Sequence, residues 1–561
     1  MSLTKVTYSM IDGETVNVQD YGAVGNGVTD DTAAIQAALN SGVIMVRAPA
    51  AKYVITSPIT IPVGVKLFGD FAGHESSYKG DSTQAFNNTT FIMRGTAQFR
   101  LSDNSAFEGA TLWYDQQNYN LSYNVLQPDG IDPWVSYPPG FEYIGNYSSV
   151  TVEKVVFLGG TRFFYSGYSN TIEKLLINEI YGFPLEVGVE IKLATDMTYI
   201  QNVHWNPNAM YRLPNYTPTV EKTAKYVRNT VPFKLGRVDG GWLTNCFAYA
   251  IRDFVWFTFD NLHAGGVGGS IRLTNCAADV CHNFIRIEQT QRGFGIGAVN
   301  CWAVNNVFDI YDPVAGSVVT RPPAMVRFGD DAPVFPDPLR LENAHVELVA
   351  VKRSPGRAVP GIPGTGTPLN LFYFDSTGAD LSINCSACDF DEVTSGIVVG
   401  SDLDSGERRY VAMSVCGVRA NQNNPQTYYN HIFASQNNSY SAISDFATGY
   451  VGGSALTGQF VRRARDFAEA NFMGVEALYK DGGGNQKVFS AYRETGGGVT
   501  KERLIEVDRA TGDICFTVMQ WNQNRLRLGA YYLWVDSTGD LRIKNSAPTS
   551  DTDGTVVGTQ T

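Results

Sequence analysis

The eight cysteines include a single Cys-x-x-Cys spacing, Cys385–Cys388, with no second such pair and no matching histidine arrangement, and the chain has no Gly-x-Ser-x-Gly, no His-Glu-x-x-His and no phosphate-loop lysine. Zinc-ribbon, esterase, metalloprotease and NTPase chemistries therefore have no motif behind them. No apolar run reaches the roughly 20 residues of a membrane helix. The opening MSLTKVTYSMIDGE lacks the apolar core of a signal peptide. These absences predict a soluble chain that is not inserted in a membrane. Positive charge is also short: 43 Lys and Arg stand against 55 Asp and Glu, a net −12. Nucleic acid, which calls for a basic stripe, is not an expected partner.

What is present is apolar content of 43%, aromatic content of 12% and 56 glycines in 561 residues. That composition suits a large buried core built from strands and turns. The cysteines fall in repeated segments: LTNCFAYAIRDFVWF from 243, LTNCAADVCHNFIRI from 273, AVNCWAVNNVFDIY from 298 and SINCSACDFDEV from 382. RLENAHVELV, from 340, reads as the same segment with Ala344 in the cysteine slot, and Cys416 continues the series. The spacings from Asn245 to Asn275, Asn300, Asn343 and Asn384 are 30, 25, 43 and 41 residues. Short strands repeating at this period predict a solenoid, one coil per repeat. Small side chains would stack inside, and asparagines would occupy turns that need left-handed backbone.

The stretch VQDYGAVGNGVTDDTAAIQAALNSG, residues 18–42, carries loop glycines Gly22, Gly25 and Gly27 but not the Gly-x-Gly-x-x-Gly spacing of a dinucleotide loop. Val16 and Val18 read as a strand leading into a glycine turn. Thr29 is the expected N-cap of a short helix, with Asp30 and Asp31 in its first turn. Ile35, Ala38 and Leu39 give it one apolar face. This helix would plug the open end of the solenoid. YVITSPITIPVGVKLFGD, from 53, reads as strands, and SPGRAVPGIPGTGTP, 354–368, as a projecting loop. Residues 456–473 carry some helical period. The turn signals DGGGN, ETGGG, RATGD and DSTGD that follow predict a C-terminal β-rich module. The division is 1–75 leader and cap, 76–430 solenoid and 431–561 C-terminal module.

VNVQDYGAVGNGVTDDTAAIQAAL resembles the opening motif of the pectate-lyase-like superfamily of right-handed parallel β-helix proteins. Within it, YIQNVHWNPNAMYRLP, VPFKLGRVDGGWLTNCFA and the ending GAYYLWVDSTGDLRIKNSAPTSDTDGTVVGTQT resemble bacteriophage tailspikes that depolymerise bacterial surface polysaccharide. The resemblance implies an all-β right-handed parallel β-helix and a homotrimer assembled through the C-terminal module. It also implies a place on the virion, attached to the phage tail or baseplate through the N-terminal side, and action outside the host cell on capsule or O-antigen. No cofactor is expected.

The repeats select candidate residues independently. Polar turns are expected at Asp253, Asn283 and Asn306. Alternation after them puts Val255, Phe257, Phe259, Ile285, Ile287, Phe308 and Ile310 inside. Trp256, Asp260, Arg286, Glu288, Asp309 and Tyr311 then face outward on three stacked rungs about 4.8 Å apart. Carboxylates on such rungs approach the roughly 5–5.5 Å or roughly 6.5–9.5 Å separations of retaining and inverting glycosidases. One carboxyl must donate a proton and the other must attack or activate water. Glu288 and Asp260 lead, then Asp309, with Asp239 in GRVDGG one rung earlier. Trp256, Arg286 and Tyr311 are candidates for holding sugar. His204 with Arg212 would serve a β-eliminating lyase, or His204 packs with Trp205 at a loop root. Asp551-Thr-Asp553-Gly has the opening of a calcium loop without its later ligands, so no metal is expected. Glycan hydrolysis is the leading function, with polysaccharide lyase and non-catalytic glycan adhesin as alternatives.

Overall fold

The computed structural model describes residues 15–71, 73, 87–118, 134–213, 216, 230–258, 270–290 and 295–305, the further strands named below, and residues 530–558. The parallel ladder begins at Val16–Asn17, which pairs with Met45–Ala48, and each later strand pairs with its equivalent one coil on. Strands Lys52–Ile55, Ile59–Ile61 and Lys66–Gly69 pair with Thr90–Met93, Phe99–Leu101 and Ser105–Trp113, not with one another. The chain is a right-handed parallel β-helix.

One coil shows how the sequence winds. Ser270–Thr274 lies on one face, Asn275 turns the chain, and Ala277–Ile287 runs along a second face and around a corner onto a third. Phe233, Val255, Ile285, Val326 and Phe372 stack directly above one another inside. All five are fully buried.

The expected turn chemistry holds at Asn245, Asn275 and Asn300, which have φ of 56°, 53° and 52°. Only short polar side chains and glycine accept this region cheaply. Their amides continue a ladder from earlier coils: Asn202 donates to Asn178 at 2.9 Å, then Asn245 to Asn202, Asn275 to Asn245 and Asn300 to Asn275, at 3.2, 3.2 and 2.8 Å. Next to it the buried thiols of Cys246, Cys276 and Cys301 donate to carbonyls of Ile200, Leu243 and Leu273 on the preceding coil. Burial pushes the Cys276 thiol well above its ordinary range. These cysteines are structural.

Two later repeats are misaligned in the sequence reading. Asn343 lies outside the described residues and Ala344 opens strand Ala344–Val349; the turn and cysteine slots are filled by Ala350 (φ 52°) and Val351. Asn384 lies within strand Leu381–Ser386, and Ala387 (φ 51°) with Cys388 takes the slots given to Asn384 and Cys385. Long insertions between coils moved the spacing, and the Asn-Cys pair is not obligatory at the corner. Replacing Ala350 by asparagine is expected to extend the amide ladder by one bond. The gain should be about 0.5–1.5 kcal/mol, read as a higher unfolding midpoint in denaturant.

The glycine loop folds differently from its expectation. Thr29 sits in strand Asn26–Asp30 and caps nothing; the helix is Thr32–Leu39 with Asp31 as its N-cap residue. The Asp31 carboxylate turns back to accept the Val24 and Gly25 amides at 2.6 and 3.2 Å, while Asp30 accepts the Thr32 amide at 3.0 Å. The two aspartates thus stitch loop to helix. Ile35, Ala38 and Leu39 are buried as expected. Gln36 exchanges two hydrogen bonds with Thr60 of the first coils. The helix covers the open end of the core.

Two antiparallel sheets make the C-terminal β module. In the first, strands Phe472–Lys480, Gln486–Thr495, Thr500–Asp508 and Ile514–Phe516 are separated by the three glycine turn signals. The second comprises Leu526–Leu528, Tyr531–Val535, Leu541–Lys544 and Thr555–Gly558. The helical period at 456–473 lies almost wholly outside the described residues, Phe472 and Met473 opening a strand. Trp534 is fully buried in the second sheet and its indole donates to the Asp551 carbonyl at 3.0 Å. Bonds from Thr538 and Arg542 hold the Asp536 carboxyl well below the ordinary 3.8, and bonds from Lys544 and Thr549 do the same for Asp553. A depressed carboxyl stabilises above its unfolded value and loses that contribution as pH falls toward its folded one. Protection of residues 530–558 against hydrogen exchange is therefore expected to hold at neutral pH and to fall once pH drops below about 4.

Candidate functional site

The third face carries a column of outward side chains that runs through much of the helix. In register order it reads Arg100, Glu142, Tyr165, Glu190, Lys234, Trp256, Arg286 and Arg327. The alternation that put Trp256 and Arg286 on one outward column is correct. Trp256 is partly exposed, but Arg286 is completely buried and Glu288 nearly so. Arg286 lies against the Trp256 ring, its guanidinium carbon 4.1 Å from the centroid. One of its nitrogens meets Glu288 at 2.7 Å and another meets Asp253 at 3.3 Å. Lys234 reaches the same indole from one rung earlier, at 4.8 Å. The indole N–H of Trp256 is buried without a hydrogen-bond partner.

Asp253 and Asn283 are not turn residues. Both sit inside continuous strands at the corner between two faces, fully buried, with Asn283 donating to Asp253 at 2.7 Å. Asn305 completes this corner, its amide donating to the His282 carbonyl and its oxygen accepting from Arg353, while Asn306 lies outside the described residues. The corner is a buried polar column that bends the strand without breaking it, because the side chains satisfy one another.

Three of the candidates, Trp256, Arg286 and Glu288, are thus brought together. The others separate. Asp309 and Tyr311 lie on strand Phe308–Asp312, which pairs antiparallel with Ser317–Arg321 in a hairpin outside the helical ladder. The rung beneath Arg286 is occupied by Arg327 instead. A hairpin inserted between Asn305 and Ala324 displaced the expected third rung, and with it the inward assignment of Phe308 and Ile310. Asp239 is ion-paired to Arg237 at 2.9 Å. It lies two rungs before Glu288 and three residues further along, on the order of 10 Å in each direction. Asp260 and Phe259 lie outside the described residues.

His204 packs edge-on between Tyr181 and Phe247, with centroids at 5.3 and 4.9 Å, and Trp205 is fully buried. That is the packing alternative. Arg212 ends the short 3-10 helix Pro207–Arg212, and its side chain lies outside the described residues. The Asp551 and Asp553 carboxylates bond Ser537 and Thr549, and the described residues contain no metal-holding cluster. Loop 354–368 lies outside the described residues beyond strand Lys352–Pro355.

Several site residues escaped the sequence reading. Asp253 was assigned to a turn. Glu190 and Lys234 precede the cysteine repeats, and the signal for them was the same period-two alternation in VGVEIK and VPFKLG. On the first face Tyr199 stacks on Trp242, centroids 5.1 Å apart, both more than a third exposed, with Arg272 on the next rung. Each stands three residues before a turn asparagine, a position that repeat alignment exposes.

Residues 15–206 match the family model described as rhamnogalacturonase A/epimerase, pectate lyase-like, and residues 498–559 match that described as capsule depolymerase. The observed ladder makes the chain a parallel β-helix protein, and the two family matches cover these two segments of it. Among curated proteins it is similar to a non-secreted LysM effector, LysM19, of Penicillium expansum. Identity is 28% over 188 residues, 27% of this chain, and the match spans only 14% of that relative's length. Among solved structures, Geobacillus virus E2 ORF18 is 14% identical with a TM-score of 0.33, covering 97% of this chain and 86% of that one. The catalytic unit of the GH87 alpha-1,3-glucanase from Streptomyces thermodiastaticus is 11% identical with a TM-score of 0.41, covering 78% and 70%. Bacteriophage phi29 gene product 12 is 12% identical with a TM-score of 0.43, covering 77% and 55%.

Proposed function

We propose that this chain is a phage tailspike that binds and depolymerises bacterial surface polysaccharide. The observation that carries the reading is the guanidinium of Arg286, which bridges Asp253 and Glu288 beneath Trp256 on an outward column of the helix. The capsule-depolymerase match at 498–559 supports it. A glycosidic bond is broken by carboxyl groups acting as proton donor and as base or nucleophile. Glu288, 2.7 Å from the Arg286 guanidinium, takes the role of base or nucleophile in this reading. Asp260, two residues beyond Thr258 on the preceding rung, remains the proposed proton donor. Trp256 supplies an apolar ring for a sugar face. Three chains side by side, joined through the C-terminal module and carried on the phage tail by the N-terminal side, are part of the same reading.

The test is depolymerisation. Purified protein is incubated with capsular polysaccharide from hosts that bind it, and polymer size and new ends are followed. Saturated reducing ends are expected. Ends with an ultraviolet-absorbing double bond would replace hydrolysis by elimination, and binding with unchanged polymer size would leave an adhesin.

A further inference from the structure

Centred on Glu190, three rungs before Arg286, the outward column holds a second cluster that the cleavage reading leaves unused. Glu190 is nearly fully buried, yet three cations converge on its carboxylate: Arg162 and Lys192 at 3.1 Å and Lys234 at 3.5 Å. Each cation also lies over an aromatic ring: Arg162 over Tyr165 at 5.2 Å, Lys192 over Tyr168 at 5.7 Å and Lys234 over Trp256 at 4.8 Å. The cations remain between about a sixth and a third exposed while the carboxylate does not. Solvent, or a ligand, thus meets the positive side of the cluster. This local excess stands out on a chain of net charge −12.

We propose that Arg162, Lys192 and Lys234 form a subsite for an anionic group on a saccharide, with the rings beside them receiving the sugar faces. The inference rests on the glycan-binding reading of this column and names its substrate class: an acidic polymer, whose anion is a carboxylate, phosphate or sulfate. One carboxylate cannot neutralise both Arg162 and Lys234, so a second anion is attracted to the remainder. The titration of the cluster agrees. Burial pushes Lys234 down, and the neighbouring Lys192 and Arg162 add to this against the pull of Glu190. Burial alone would raise Glu190, but Lys234, Arg162 and Lys192 together hold it below its ordinary value. Lys234 touches both this cluster and Trp256, so a chain bound here leads along the column toward Glu288 two rungs away.

A panel of purified bacterial capsular polysaccharides with acidic and with neutral repeat units tests this by surface plasmon resonance. Captured polymers are expected to be acidic and to be held less tightly as salt rises. Lys234→Met should weaken capture of an acidic polymer about tenfold or more, and Lys234→Arg should largely preserve it. Glu190→Gln should tighten it, because the competing internal anion is gone. That opposite sign separates the proposal from folding damage, which a thermal melt of each variant checks. Capture of a neutral polymer with equal strength would overturn the anionic subsite and leave depolymerisation standing. Unchanged capture by both Lys234→Met and Glu190→Gln would overturn it as well. Failure to capture any polymer would overturn both readings.

Discussion

Replacing Arg286 by methionine is expected to cost about 3 kcal/mol of folding stability or more, the largest effect of any single change at the site. Arg286 and Asp253 are both completely buried, and the guanidinium is the group that joins Asp253 to Glu288. Methionine fills comparable volume, so the loss is electrostatic: two carboxylates lose a shared cation in a poorly solvated place. The arginine also lies over the Trp256 ring, its guanidinium carbon 4.1 Å from the centroid. Unfolding in denaturant measures the loss. A double variant, Arg286→Met with Glu288→Gln, should recover part of it, because one of the stranded charges is removed. If the single variant unfolds at the wild-type midpoint, the bridge is not structural.

Glu288→Gln is expected to lower the rate of polysaccharide cleavage by about 10²–10⁴-fold, while binding of the polymer changes little. Glutamine keeps the shape and an acceptor toward Arg286, so the fold should survive. It cannot take a proton from water or attack a sugar carbon. Release of reducing ends measures the first effect, and capture of intact polymer measures the second. Wild-type cleavage by this variant would make Glu288 a scaffold residue and move the chemistry elsewhere on the column.

Much of the fold was legible because a coil repeats the same constraints. Asn245, Asn275 and Asn300 mark a backbone conformation that few residues accept, and Cys246, Cys276 and Cys301 fill an interior slot of fixed size. Alternation assigned Val255, Phe257, Ile285 and Ile287 to the core correctly. The reading slipped where the chain leaves the repeat. The hairpin Phe308–Arg321 intervenes between Asn305 and Ala324, so Asp309 and Tyr311 never reach the column, and counting residues cannot detect such an excursion. Thr29 as a helix cap failed for a related reason, since a strand pairing with Lys52–Ile55 claims residues 26–30 before the helix begins.

The sequence by itself determined the parallel β-helix, its capping helix and its asparagine turns, since local conformational preference and period-two burial act over a few residues. The tertiary structure decided which outward residues are neighbours and which are buried. Glu190, Lys234, Trp256 and Arg286 come from four coils and share one column because hydrogen-bond register sets them above one another. The same stacking takes Arg286 and Asp253 out of water and makes their charges matter, and no local pattern in the chain specifies that burial.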